Sequence, residues 1–77
     1  MKIPRDIDAN SLIKVISSYG YSISRQVGSH IRLENKSNGH KITIPNHDPI
    51  KIGTLNKIVK DICSINNLKL SDLINKL

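Results

Sequence analysis

The apolar positions of this chain change period along its length, and each change marks an element. Ala9, Leu12, Ile13, Ile16 and Tyr19 recur at three- and four-residue steps with Val15 on the flank, which is the stripe of an amphipathic helix. Asp8 precedes the stripe as an N-cap whose carboxylate suits the positive end of the helix dipole. Gly20 ends it as a glycine just past a helix does. From Tyr21 the period becomes two: Tyr21, Ile23, Arg25 and Val27 alternate with Ser22, Ser24 and Gln26, a strand pattern. Gly28-Ser29 is a two-residue connection whose leading glycine suits a type II′ hairpin turn.

The next strand, His30 to Asn35, turns Ile31 and Leu33 to the core and His30, Arg32 and Glu34 to the opposite face. Lys36-Ser37-Asn38-Gly39 is a turn. The strand that follows, His40 to Pro45, has Ile42 and Ile44 inward and Lys41 and Thr43 outward. Pro45-Asn46-His47-Asp48-Pro49 reads as a loop, because its prolines exclude helix and central strand. A second helix is predicted from about Gly53-Thr54, with Leu55, Ile58, Val59, Ile62 and Ile65 on its stripe and Lys57 and Lys60 on the other side. Leu70 to Leu77 reads as a short terminal helix with Ser71 as its N-cap. The order is α-β-β-β-α: an α+β domain in which two helices cover one face of a three-stranded antiparallel sheet and leave the other face wet.

Composition narrows this to one domain over residues 1–77 with an aliphatic core, since Phe and Trp are absent and Tyr19 and Tyr21 are the aromatic residues. Twelve Lys and Arg against six Asp and Glu give a formal charge of +6, which favours an anionic partner, nucleic acid first. So few aromatics make base stacking a poor mode and backbone and shape recognition the expected one. The single cysteine, Cys63, excludes an internal disulfide and a Cys-based zinc knuckle, and reads as a half-buried hydrophobe. The basic start Met1-Lys2-Ile3-Pro4-Arg5 leads into no apolar signal region, and no apolar run is long enough to span a bilayer. A soluble cytoplasmic protein with no membrane contact is expected.

Chemistry concentrates at Arg25-Gln26-Val27-Gly28-Ser29-His30-Ile31-Arg32. Strand parity puts His30 on the open face beside Arg32, and histidine moves protons near neutrality. RNA carries its own nucleophile, the 2′-hydroxyl, so one proton-transferring group with cations on the phosphate is a sufficient cleavage apparatus. His47 precedes Lys51, Gly53 and Thr54 at the start of a helix, a setting suited to phosphate. His40 has no histidine at metal-ligand spacing, so no metal or other cofactor is expected. Ser29 and Asp48 lack the nucleophile elbow of a hydrolase. Lys14, Lys41, Lys57 and Lys60 are further cations for a backbone-tracking patch.

Gly20-Tyr21, Arg25-Gln26-x-Gly28-Ser29-His30, Ile44-Pro45-x-His47 and Gly53-Thr54-Leu55-x-x-Ile58, in this order, resemble the HicA family of bacterial toxins from about Pro4 to the second helix. The resemblance implies a fold like a double-stranded RNA-binding domain and a metal-independent mRNA interferase that arrests translation. It also implies a HicB-type antitoxin partner, with a hetero-oligomer of the two. The family's catalytic histidine falls on His30, with Gly28 and Ser29 as the turn that presents it. His47 and Gly53-Thr54 match as motif positions only. The expected site is therefore His30 as acid and base, Arg25, Ser29, Arg32, His47, Lys51 and Thr54 on RNA, and Gly28 and Gly53 as structural turns. The competing reading is a non-catalytic RNA-binding module of the same fold.

Overall fold

In the computed structural model, which describes residues 3–77, the Asp8 carboxylate accepts the Ser11 backbone N–H at 3.3 Å and caps the first helix, α1 (Ala9–Ser17). That hydrogen bond holds the Asp8 carboxyl below its ordinary range. Met1 and Lys2 lie outside the described residues. Ala9, Leu12 and Ile16 are the buried face of α1. Helical hydrogen bonding tightens after Ser17, where the amides of Ser18, Tyr19 and Gly20 reach carbonyls three residues back. Gly20 then turns the chain at φ +100, and a Cβ there would meet the Asn35 side chain at 3.3 Å. Both facts require glycine at this corner.

Three antiparallel strands follow in sequence order: β1 (Tyr21–Val27), β2 (His30–Asn35) and β3 (Lys41–Pro45). Gly28 opens the β1–β2 hairpin at φ +59, the positive angle that a leading glycine supplies. The β2 alternation holds throughout, with Ile31, Leu33 and Asn35 buried. That of β1 does not. Ile23 pairs with Leu33 and Arg25 with Arg32, so Ser24 is an extra residue in a β-bulge. Tyr21 and Ile23 lie on the same face as the buried side of β2, while beyond the bulge Arg25 and Val27 move to the open face. The Tyr21/Ile23/Arg25/Val27 set read from the sequence as one face is thus divided between two. Ile23 and Val27 are 55% and 51% exposed, because β1 is an edge strand.

The second helix, α2 (Ile52–Asn66), begins one residue before Gly53, and α3 (Leu70–Asn75) packs against it. Leu55, Ile58, Val59 and Ile62 are buried as expected. Ile65 is not on the stripe and is 52% exposed, whereas Cys63 is buried rather than half-buried. The contact face rotates toward Cys63 because α3 supplies Leu73 to the same core cluster. The N-cap of α3 is Lys69 without a side-chain bond, and Ser71 lies inside the helix. Leu12 and Ile16 of α1, Ile31 and Leu33 of β2, Ile44 of β3 and Leu55 and Val59 of α2 share one core. Tyr21 is its one fully buried aromatic side chain. Both long helices therefore sit on the same side of the sheet. Burial, reinforced by the Asp72 charge, pushes the Cys63 thiol up. The thiolate is the reactive form, so alkylation by iodoacetamide should be slow in the native protein and fast in urea; equal rates would contradict this burial.

The segment between β3 and α2 is held at several points. The Asn46 amide donates to the Ser29 carbonyl at 2.6 Å, the Ala9 amide to the His47 carbonyl at 3.3 Å, and the Ile50 amide to the Ile7 carbonyl at 2.8 Å. Ile7 and Ile50 are buried. The loop is thereby fixed against both the β1–β2 turn and the strap of chain that enters α1.

Candidate functional site

Residues paired across antiparallel strands point to the same face, so the register lays out the open side of the sheet in rows. Val27, His30 and Pro45 form the first row, at the end of the sheet next to the Gly28-Ser29 turn. Arg25, Arg32 and Thr43 form the second. Ser22, Glu34 and Lys41 form the third. His30, Arg25 and Arg32 are all exposed. The Gly28-Ser29 turn sets Arg25 opposite Arg32, and the bulge at Ser24 allows Tyr21 and Ile23 of the same strand to face the helix layer.

The loop after β3 adds the next part. The Asn46 hydrogen bond to Ser29 seats this loop against the turn that presents His30. The His47 amide donates to the Pro45 carbonyl at 2.8 Å, and Pro45 stands directly opposite His30. Ser29 and His47 therefore flank His30 along the backbone, each with an exposed side chain. His47 is pinned through its main chain, and its side chain is exposed.

Lys51 occupies the N-cap position of α2, where its side chain makes no capping bond. Gly53 and Thr54 line a groove between α2 and β3, together with His40, Lys41, Thr43, Lys57 and the carboxylate of Asp61. A second groove on the open face is lined by Arg25, Arg32, Glu34, Lys41 and Thr43. Lys41 and Thr43 belong to both, so a track with more cations than carboxylates (Glu34 and Asp61) runs from the arginine row over the β3 edge to the start of α2. The sequence-expected residues thus fall into separate groups: Arg25, His30 and Arg32 on the open face, Ser29 and His47 in the turn and loop at its end, and Gly53 and Thr54 beside the β3 edge. Lys51 lines neither groove. Thr43, which links the groups, carries no motif signal; its outward parity in β3 was its only mark.

His40 borders the groove between α2 and β3 and is tied into a network at the end of the sheet. Its Nδ1 lies 2.6 Å from the Tyr21 hydroxyl, and that hydroxyl also accepts the Asn66 side-chain amide at 2.8 Å. Asn66 Oδ1 in turn accepts from Asn38 and Asn35. This network closes the end of the sheet away from His30. Residue type alone does not announce it, because its members come from four separate parts of the chain. Among the described residues no three His, Cys, Asp or Glu side chains gather as metal ligands, and no helix is long and apolar enough to cross a membrane.

The arrangement offers a solvent-facing imidazole, two guanidiniums one row away and a cationic track leading off the sheet. It can exchange a proton with a ligand while holding anionic groups beside it. The family model described as HicA toxin of bacterial toxin-antitoxin matches residues 9–62, more than half of the chain. No curated protein and no solved structure matches.

Proposed function

The chain belongs to the HicA toxin family, and from that premise we propose that it is the toxin of a type II toxin–antitoxin pair: an endoribonuclease, folded as one domain, that cleaves mRNA with His30 as proton-transfer group. The observation that carries the reading is the open sheet face, where His30 and the Arg25–Arg32 pair stand side by side and exposed. In the proposed reaction His30 takes the proton from a 2′-hydroxyl, whose oxygen attacks the adjacent phosphorus. The bond from phosphorus to the 5′-oxygen breaks, and that oxygen receives a proton. The products carry a 2′,3′-cyclic phosphate and a 5′-hydroxyl. Arg25 and Arg32 neutralise the RNA backbone, Ser29 and His47 contact it beside the scissile bond, and Lys51 and Thr54 extend the contact toward α2. No step calls for a metal.

A HicB-type antitoxin neutralises the toxin in this reading by covering the same face, which removes His30 from solvent and denies RNA its cations. The toxin then acts in the cytoplasm, where mRNA is. The purified protein should cleave RNA in excess EDTA and leave 2′-deoxy-substituted sites uncut. Products resolved on a denaturing gel and probed for the cyclic phosphate decide the matter. RNA bound at low salt but left intact would instead identify a non-catalytic RNA-binding module.

A further inference from the structure

The row that contains His30 holds no cation: its neighbours across the strands are Val27 and Pro45. The cations begin one row further along, where Arg25 and Arg32 face each other directly across the β1–β2 pair. Like charges placed opposite one another on a sheet repel, and an anion seated between them relieves the repulsion. Two planar guanidiniums suit a phosphate, which each can grip through parallel N–H donors. The register counted from the Gly28-Ser29 turn sets Arg25 opposite Arg32, and the bulge at Ser24 lets the same strand turn Tyr21 and Ile23 to the core. Thr43 completes the row with a hydroxyl, and the groove over it is lined by Arg25, Arg32 and Lys41 with Glu34 as a carboxylate.

Successive rows on one face lie two residues apart, about 6.7 Å along the strand. That step is comparable to the one between neighbouring phosphates of an RNA strand. We propose that Arg25 and Arg32 form a clamp for the phosphate adjacent to the scissile one, so that RNA lies along β2 with one phosphate at His30 and the next between the arginines. This rests on the endoribonuclease reading above and deepens it: the substrate is recognised through two consecutive phosphates, and the shortest good substrate carries both.

The test compares a dinucleoside monophosphate, which has the scissile phosphate alone, with the same dinucleotide bearing an added 3′-terminal or 5′-terminal phosphate. The expected result is that one added phosphate raises kcat/KM by roughly tenfold or more, the size of a charge-assisted contact. In R25A and R32A that gain should shrink, and in the double variant it should fall close to one. The clamp is overturned if neither added phosphate helps the unsubstituted protein. It is also overturned if the arginine variants lose the same factor on every substrate, since the arginines would then act at the scissile phosphate. Direct titration with 2′-deoxy analogues, which cannot be cut, reads the clamp as affinity. If the unsubstituted protein cleaves no RNA, the endoribonuclease reading fails. In that case a phosphate-dependent gain in analogue binding, lost in the double variant, still supports the clamp, and its absence overturns the clamp too.

Discussion

Replacing His30 with alanine should reduce RNA cleavage by roughly 10²–10⁴-fold, the usual contribution of a general acid–base group, while leaving the protein folded. The side chain is exposed on the open face and lies between Val27 and Pro45, away from the core. Surface substitutions of this kind usually change stability by less than about 0.5 kcal/mol, so the melting temperature and circular dichroism should match those of the unsubstituted protein. Growth arrest on expression should disappear in parallel. A folded variant with full cleavage activity would remove His30 from the mechanism. A variant that does not fold would show that the histidine is structural, which its exposure argues against.

The largest expected effect on stability lies at the other end of the sheet. Asn35 is 1% exposed. Its amide group donates to the Tyr19 carbonyl at 3.0 Å and its Oδ1 accepts the Ser37 amide at 2.9 Å. It also reaches Asn66 Oδ1 at 3.4 Å, joining the Tyr21–His40 network. Asn35→Ala strands a carbonyl and an amide beside a small void, and the cost should be about 2–4 kcal/mol. A chain of this length has a total stability of roughly 4–12 kcal/mol, so the variant should lie near the edge of folding. Urea titration should show a much lower midpoint with an unchanged slope. A loss below about 1 kcal/mol would mean that water replaces Asn35 without difficulty. Asn35→Asp, which keeps the acceptor for Ser37 but buries a carboxylate against the Tyr19 carbonyl and Asn66 Oδ1, should cost at least as much at neutral pH.

These two residues also show what the sequence could convey. His30 was legible because β2 alternates without interruption, so the burial of Ile31 and Leu33 sends His30 and Arg32 outward by parity alone. Asn35 was not, because the same parity that buries it says nothing about a polar residue whose partners lie at Tyr19, Ser37 and Asn66. The helices followed their stripes except where a tertiary contact rotated the buried face: Ile65 lost its place to Cys63 once α3 packed on α2. The β1 face misled for a different reason. Its unbroken alternation from Tyr21 to Val27 hides the extra residue at Ser24, and on an exposed edge strand no apolar side chain reports the change of side. That hidden residue lets Tyr21 and Ile23 face the core while the turn register keeps Arg25 opposite Arg32.

In the Ser24 segment, chain length therefore carries information that residue identity does not. A substitution at Ser24 keeps the count of residues between Tyr21 and the Gly28 turn, and with it the bulge. Removing the one codon would place Ile23 next to Arg25 and restore strict alternation, with Tyr21 and Ile23 still facing the helices and Arg25 and Val27 still facing outward. Homologous chains that keep this face should accordingly vary freely at the bulge, or lack it, and tolerate insertions and deletions poorly between Arg25 and the Gly28 turn.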